Sequence, residues 1–330
     1  GFKDPVVSIN LAEMEFEKKE YQKTISLLKD LEGKYIKDSR VVNMLVLSNR
    51  QIGTDSLSVP EINQMVSTAP NNKDNIEMAA IAYDKRGEIN SAAKMYKKFL
   101  TFPKTKSHQN YAYRLAEIYE TQKEIPGAIA QYKNNIRLFP DDFRNYEKLN
   151  ALLIEGKKYN TAQVILLKAT KQPTCPNILF KKLAQVHSFQ KKRKEAAEAY
   201  EQYLRNNLND SLAWYEYGSL CYSLKLYKKA IGALKKALEL MPLHSAAMNK
   251  LTDSYIKTGD LDKAINSLQI KLKQDPSNEN VLIELANVYK IGKNNRKEAE
   301  IYEKVFDLNS DKNKKYLAQA GHIYYKIPIK

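Results

Sequence analysis

Strides of 34 residues through the sequence return again and again to the same kinds of side chain. The strongest unit reads Trp214, Tyr217, Gly218 and Cys221, followed by Ala230, Leu234, Ala237 and Pro242. Forward strides meet Leu251, Thr252, Tyr255, Ala264, Leu268 and Pro276, then Leu285, Ala286, Tyr289, Tyr302 and Val305. Backward strides meet Leu183, Ala184, Ala196 and Tyr200, then Tyr146, Leu149, Ala162, Leu166 and Ala169, then Ala112, Leu115, Ala116, Tyr119, Ala128, Tyr132 and Pro140. A two-residue insertion between Lys104 and Gln109 intervenes, after which the pattern resumes at Ile76, Ala79, Ala80, Tyr83, Ala92, Tyr96 and Phe99. Two weaker units precede it, one with Val42, Leu45, Val46, Ile62, Met65 and Pro70, the other with Leu11, Ala12, Leu28 and Leu31, which makes nine. A self-similarity of this length sets the whole architecture before any local propensity is considered.

Within a unit, a large, a small and an aromatic residue spaced by three or four fall on one helical face, so each unit opens with an amphipathic helix. The small residue, Ala116, Ala184, Gly218 or Ala286, lets a neighbouring helix come close. Gly87, Gly156, Gly259 and Gly292 mark a turn, and a second helix carries the next small residue, Ala128, Ala196, Ala230 or Ala264. Pro70, Pro140, Pro242 and Pro276 then stop that second helix. One such hairpin cannot bury its own apolar stripe, whereas a stack of them makes a continuous core. Scarce Gly and Pro, 11 of each, with abundant Lys, Glu, Ala and Leu, favour helix throughout.

The pattern resembles the tetratricopeptide repeat family, whose signature is W-x2-L-G-x2-Y, then A-x3-F, then P, over 34 residues. The likeness covers roughly residues 5 to 310. Its departures are local: Glu298 stands where other units have Ala, with Ala299 one position late, and Ser58 and Thr24 replace Ala in the early units. The spacing of 34 disfavours the pentatricopeptide family, whose repeat is 35. The resemblance implies an all-α, right-handed superhelical solenoid of about nine helix-turn-helix repeats over residues 5–312. Those repeats start near positions 5, 39, 73, 109, 143, 177, 211, 245 and 279. Residues 313–330 are expected to form one more helix through Tyr316, Leu317, Ala320, Gly321 and Tyr324, as a cap or as a truncated tenth repeat. The apolar Ile323, Tyr324 and Tyr325 favour the second of these.

The residue types that catalysis needs do not converge. The 11 glycines never form GxGxxG or GxxxxGK, which argues against nucleotide chemistry. His108, His187, His244 and His322 are scattered, and neither they nor Cys175 and Cys221 have metal-ligand spacing, so no cofactor and no metal are expected. His187 and Cys221 occupy core positions where other units have Tyr, and read as packed side chains. Cys175 lies in an inter-repeat loop with no group beside it that marks a nucleophile. Asp141 and Asp142 read as helix caps. No apolar run approaches a membrane span. The first residue is Gly and no signal peptide is visible, so removal of a native N-terminus is expected. The compartment stays open: cytoplasmic, or periplasmic or membrane-associated if a signal or anchor has been removed.

Lys and Arg number 54 against 38 Asp and Glu, a formal charge of +16 that predicts attraction to acidic partners or anionic surfaces. In the resembled family, first helices line a concave groove. Read by register, that groove carries eleven basic and twelve acidic residues, a balance of −1 that leaves +17 for the remaining surface. The excess concentrates in turns and second helices, at Lys97-Lys98, Lys157-Lys158, Lys191 to Lys194, Lys228-Lys229, Lys235-Lys236 and Lys312 to Lys315. A solvated outer face is the plain reading of those lysines. Within the groove, Arg114, Arg144, Lys148, Lys181 and Lys182, with Lys250 further on and flanked by Tyr113, Phe189, Tyr215 and Tyr222, form the candidate peptide site, because aromatic anchors supply contact area and cations hold carboxylates. The family's carboxylate clamp is not matched: Lys181 with Gln185, then Glu216, then Ala246 with Lys250, breaks its pattern.

The expected function is therefore a non-enzymatic scaffold or adaptor that holds a protein or peptide partner in the groove and takes no small-molecule substrate. The alternative is binding of nucleic acid or an anionic membrane surface through a basic convex face. A subunit separated from its catalytic domain is a third reading, and end repeats that stack on one another are a route to a homodimer.

Overall fold

The computed structural model describes residues 4–29, 31, 38–52 and 59–327, so the expectations for Ser58 and for the tail Pro328-Ile329-Lys330, like that for the side chain of Val42, lie outside the described residues. These residues form nineteen α-helices and no strand. Contacts group them into two compact units, residues 1–156 and 157–330. The first unit holds α1 (Pro5–Glu17), α2 (Tyr21–Lys29), α3 (Ser39–Ile52), α4 (Val59–Thr68), α5 (Lys73–Lys85), α6 (Ile89–Phe99), α7 (Ser107–Thr121), α8 (Ile125–Leu138) and α9 (Phe143–Glu155). The second holds α10 (Tyr159–Thr170), α11 (Ile178–Phe189), α12 (Arg193–Leu204), α13 (Ser211–Ser223), α14 (Tyr227–Leu240), α15 (Ser245–Thr258), α16 (Leu261–Gln274), α17 (Glu279–Ile291), α18 (Asn295–Leu308) and α19 (Lys314–Tyr325).

In each unit a helix packs on the helix that precedes it and on the helix that follows it, as hairpins stacked in line require. The repeated small residues sit at the closest approaches: Ala116, Ala128, Ala184, Ala196, Ala230, Ala264 and Ala286 are all fully buried. A Cβ placed on Gly218 would meet Leu234 Cγ at 2.8 Å, so only glycine admits that neighbour. Prolines end helices as expected, with α4, α8, α14 and α16 each stopping two residues before Pro70, Pro140, Pro242 and Pro276. The two inserted residues extend the start of α7, which begins at Ser107.

The departures from the repeat pattern are accommodated individually. Thr24 takes an alanine's place and returns its hydroxyl to Glu20 O at 3.1 Å. Glu298 is buried, and desolvation pushes its carboxyl above the ordinary range, while Ala299 beside it fills the core. Leu11 does not join the core: it is 43 % exposed, and Ile9 and Ala12 supply the buried face of α1 instead. Asp142 stands at the N-cap position of α9, but its carboxylate makes no capping bond and takes the Arg144 guanidinium. In α19, Tyr316 and Ala320 are buried, with Tyr316 stacked on Tyr302 at 5.6 Å, whereas Leu317 and Tyr324 are exposed.

The inter-helix turn differs from its sequence signature in one respect. Gly156 and Gly292 have φ of −76° and −75° and need no glycine. The left-handed residue is the one after them: Lys157 at φ 54° and Lys293 at 56°, matched by Lys19 at 64°, Lys123 at 59°, Lys191 at 60° and Lys225 at 60°. Among the described residues only Gly87 and Gly259, at 74° and 80°, put glycine there. The physical reason is a Schellman closure, in which the residue after the helix goes left-handed and the next amide reaches back to the last turn. Lys192 N to His187 O at 2.9 Å, Leu226 N to Cys221 O at 2.8 Å and Asn294 N to Tyr289 O at 2.9 Å are its bonds. Successive turns are neighbours on one edge: Gln190 Nε2 donates to Asn160 Oδ1 at 2.8 Å, and Gln122 Nε2 to Asn90 Oδ1 at 2.6 Å.

Candidate functional site

In the first unit, the candidate residues form a chain of internal pairs between successive first helices. Arg114 on α7 grips Asp84 on α5 with both arms, Nε to Oδ2 at 2.7 Å and Nη2 to Oδ1 at 2.8 Å, and also reaches Glu117 at 3.3 Å. Tyr96 Oη donates to the same Asp84 at 3.1 Å. These donors, Arg114 foremost, outweigh burial and hold the Asp84 carboxyl below its usual range. Arg144 donates to both oxygens of Asp142, at 2.7 and 2.8 Å, and to Asn110 Oδ1 at 3.0 Å, with its guanidinium 4.6 Å from the Tyr113 ring. Burial, then nearby Glu117, pushes the Tyr113 hydroxyl up to about 12. Lys148 lies 3.6 Å from Glu120 and 3.9 Å from Glu117, and Glu120 also accepts a hydrogen bond from Tyr132. Each cation of this set is therefore answered by a carboxylate of its own chain.

The second unit is more open. Lys181 on α11 donates to Asp210 Oδ2 at 2.6 Å, and Tyr203 Oη donates to the same oxygen at 2.9 Å. Asp210 also caps α13 through Ala213 N at 3.0 Å. Burial opposes this carboxylate, but its hydrogen bonds, from Lys181 first, together keep it below the ordinary range. Lys182 is half-buried and, among the described residues, makes no ion pair. Phe189 is 52 % exposed and stacks on Tyr159 at 5.2 Å. Tyr215 lies 4.4 Å from the His244 ring. Tyr222 donates to Asp253 and carries Lys250 over its ring at 5.3 Å, and its hydroxyl is pushed up to about 12, by the Asp253 bond first.

Two of these residues, Lys181 and Phe189, share a cleft of about 220 Å³ with Gln185, Ser188, Tyr200, Leu212, Ala213 and Glu216. Its ends are chemically distinct, with the Lys181–Asp210 pair at one and the Phe189 ring at the other, and Leu212, 52 % exposed, beside them. Tyr215, Tyr222 and Lys250 are not among its walls. Leu212 shares its register position with Arg144 and escapes a reading of the groove from charged and aromatic residues. The other reactive types are quiet: His187 is buried, with its pKa pushed down by desolvation, and burial pushes the Cys175 thiol up to about 11. Among the described residues no cluster of three or more His, Cys, Asp or Glu could hold a metal, and no helix is long and apolar enough to cross a membrane.

Comparison with known proteins places this geometry. Two tetratricopeptide repeat models match, over residues 181–247 and 223–282. Of similar solved structures, the Naa15/Naa10 complex bound to HypK-THB gives a TM-score of 0.54 at 16% identity, covering 82% of this chain and 42% of that one. MamA gives 0.45 at 20% identity, over 52% and 94% of the two chains. YrrB, described as a TPR protein with an unusual peptide-binding site, gives 0.46 at 21%, over 59% and 97%. At such identities the likeness is one of fold. No curated protein sequence matches. Over residues 181–282 the chain carries tetratricopeptide repeats, and helical hairpins with the same buried alanine contacts run through the described residues before and after that segment.

Proposed function

We propose that the chain is a non-catalytic scaffold that holds an extended segment of a protein partner against the first helices of its second unit. The repeat fold supports a protein-interaction role in general. The finer reading rests on the cleft between α11 and α13, where an exposed aromatic ring, an exposed leucine and a lysine–aspartate pair stand side by side. Such a surface offers apolar anchoring to a partner side chain and polar fixing of its backbone, which is how a few residues come to dominate an interface. The cleft is small for a drug-sized ligand, whose sites typically hold 300–1,000 Å³, roughly speaking, and it suits one or two side chains of a longer chain. The first unit's paired cations support a structural role there, since a carboxylate ligand would have to displace Asp84 or Asp142 from an existing bidentate contact.

The test compares the wild type with Phe189→Ala/Leu212→Ser in a pull-down from the source organism's lysate at moderate salt. A discrete protein retained by the wild type and weakened about tenfold or more in the variant supports the cleft. A partner held equally by both, and lost instead in Arg144→Glu/Lys148→Glu, would move the site to the first unit.

A further inference from the structure

The lysines of the inter-helix turns raise a question that solvation alone does not answer. A non-glycine residue in the left-handed region is disfavoured by contact between its Cβ and the backbone, and the chain itself uses glycine at Gly87 and Gly259. Lysine nonetheless occupies this position at Lys19, Lys123, Lys157, Lys191, Lys225 and Lys293. Solubility would be served equally well one residue away at no conformational cost. The next residue separates the two units. In the first it is acidic, Glu20, Glu88 and Glu124, and offsets the turn charge. In the second it is Lys158, Lys192, Leu226, Asp260 and Asn294, so most of those turns stay cationic.

The turns α11–α12, α13–α14 and α17–α18 of the second unit are exposed together with further basic residues, Arg193, Lys194 and Lys228 among them. Lys191, Lys225 and Lys293 make no ion pair among the described residues. Because α13 lies against α15 and each hairpin contacts the next, these turns share one edge of the array, opposite the loops that carry Pro242 and Pro276. Aliphatic side chains stand among the lysines on that edge: Leu226 is 47 % exposed and Ile291 is 56 % exposed. Lysines alone would suit any polyanion. Exposed leucine and isoleucine have no counterpart on a phosphate backbone, whereas a bilayer interface takes both, the ammonium groups at the headgroups and the aliphatic tips below them.

We propose that the turn edge of the second unit docks on an anionic lipid bilayer, with the left-handed lysines meeting the headgroups and Leu226 and Ile291 entering the interface. This surface borders the Phe189 end of the partner cleft but shares none of its lining residues, so the two can be tested separately.

The test uses the full chain and vesicles of phosphatidylcholine with and without phosphatidylserine, read by co-sedimentation at low and moderate salt. The variant Lys191→Gly/Lys225→Gly/Lys293→Gly suits the purpose, because glycine relieves the left-handed turns and loss of binding is then not loss of fold. The expected result is binding to the anionic vesicles only, weakened about a hundredfold in the triple variant. Leu226→Ser/Ile291→Ser should weaken vesicle binding several-fold and leave any binding of duplex DNA unchanged. Failure of the wild type to bind anionic vesicles at low salt, or equal binding by the triple variant, overturns the proposal. So does displacement from vesicles by duplex DNA combined with indifference to Leu226→Ser/Ile291→Ser, which would make nucleic-acid phosphate the partner.

Discussion

At Lys225 the backbone has φ 60° and the side chain points from an exposed turn, so the residue gains nothing from packing and bears the strain of the left-handed region. Lys225→Gly is expected to stabilise the protein by about 0.5–1 kcal/mol in denaturant unfolding, whereas Gly259→Ala, at φ 80°, should cost about 1 kcal/mol. Equal effects of the two would show that the turn relaxes around a side chain. A second prediction concerns Asp84, whose folded pKa lies below its unfolded value of about 3.9. The stability it contributes is therefore complete above about pH 5 and is lost as pH falls through the depressed folded value. Asp84→Asn should cost about 1 kcal/mol near neutrality, a modest figure because Arg114 is partly solvated, and the gap to wild type should close in acid unfolding curves. At this scale the sequence is least transparent. Glycine is a good general marker of a turn, but at Gly156 and Gly292 it sits one place before the strained residue, and nothing in the lysines that follow announces a positive φ. That the candidate cations belong to first helices was legible, yet their partners were not, because Arg114 and Asp84 lie 30 residues apart and meet only when the repeats stack.

Among the helices, one slot recurs on every second helix of a hairpin: Phe99, Asn135, Ala169, Tyr203, Ala237, Lys271 and Val305 occupy equivalent positions. Phe99, Ala169, Ala237 and Val305 fill it with apolar side chains, and Asn135 is buried there with hydrogen bonds to Ala112 O and Asn145 Oδ1, both at 2.9 Å. Among the described residues Lys271 has only Glu284 as an ion-pair partner, at 3.9 Å, in a cleft of about 520 Å³ between α15, α16 and α17. Burial pushes the lysine pKa down and the glutamate pKa up, so each charge is held against its preference. Lys271→Met/Glu284→Leu is expected to be neutral or to stabilise by about 1 kcal/mol, the lower end for replacement of an ion pair by apolar packing because Glu284 is 38 % exposed. Thermal and denaturant unfolding read this out, and a loss of more than about 1 kcal/mol would mean that the pair organises the junction. Helix type and order were legible throughout because small and aromatic residues recur at fixed intervals. The buried face of α1 was not, since the register matched at Ala12 while Leu11 turned outward, an ambiguity inherent in two adjacent apolar residues.

For the molecule as a whole, the two compact units make a prediction that the period alone does not. Stability in a repeat array is a sum of local terms, so a set of hairpins with its own contacts can fold alone. Residues 157–330 expressed by themselves should show the helical circular dichroism of folded hairpins and a cooperative melt, and a noncooperative melt would refute their independence. The repeat count and all-helical class were readable from the sequence because they depend on composition and spacing, while the division near Gly156 was not, because the pattern crosses it in register.

The pairs that tie neighbouring first helices have one further consequence. Asp84 with Arg114 and Glu120 with Lys148 occupy equivalent positions of successive repeats, whereas Lys181 with Asp210 and Tyr222 with Asp253 join other positions. Identical bricks can be laid in any order, and a chain built of them can slip by one course while it folds, or trade bricks with a second copy. Here the joints are keyed in part: a slip by one repeat would still set Lys148 before Asp84, but it would take Lys181 from Asp210 and Tyr222 from Asp253. The order of the repeats is thus written into some of the joints and not into others, and the keyed ones belong to the second unit.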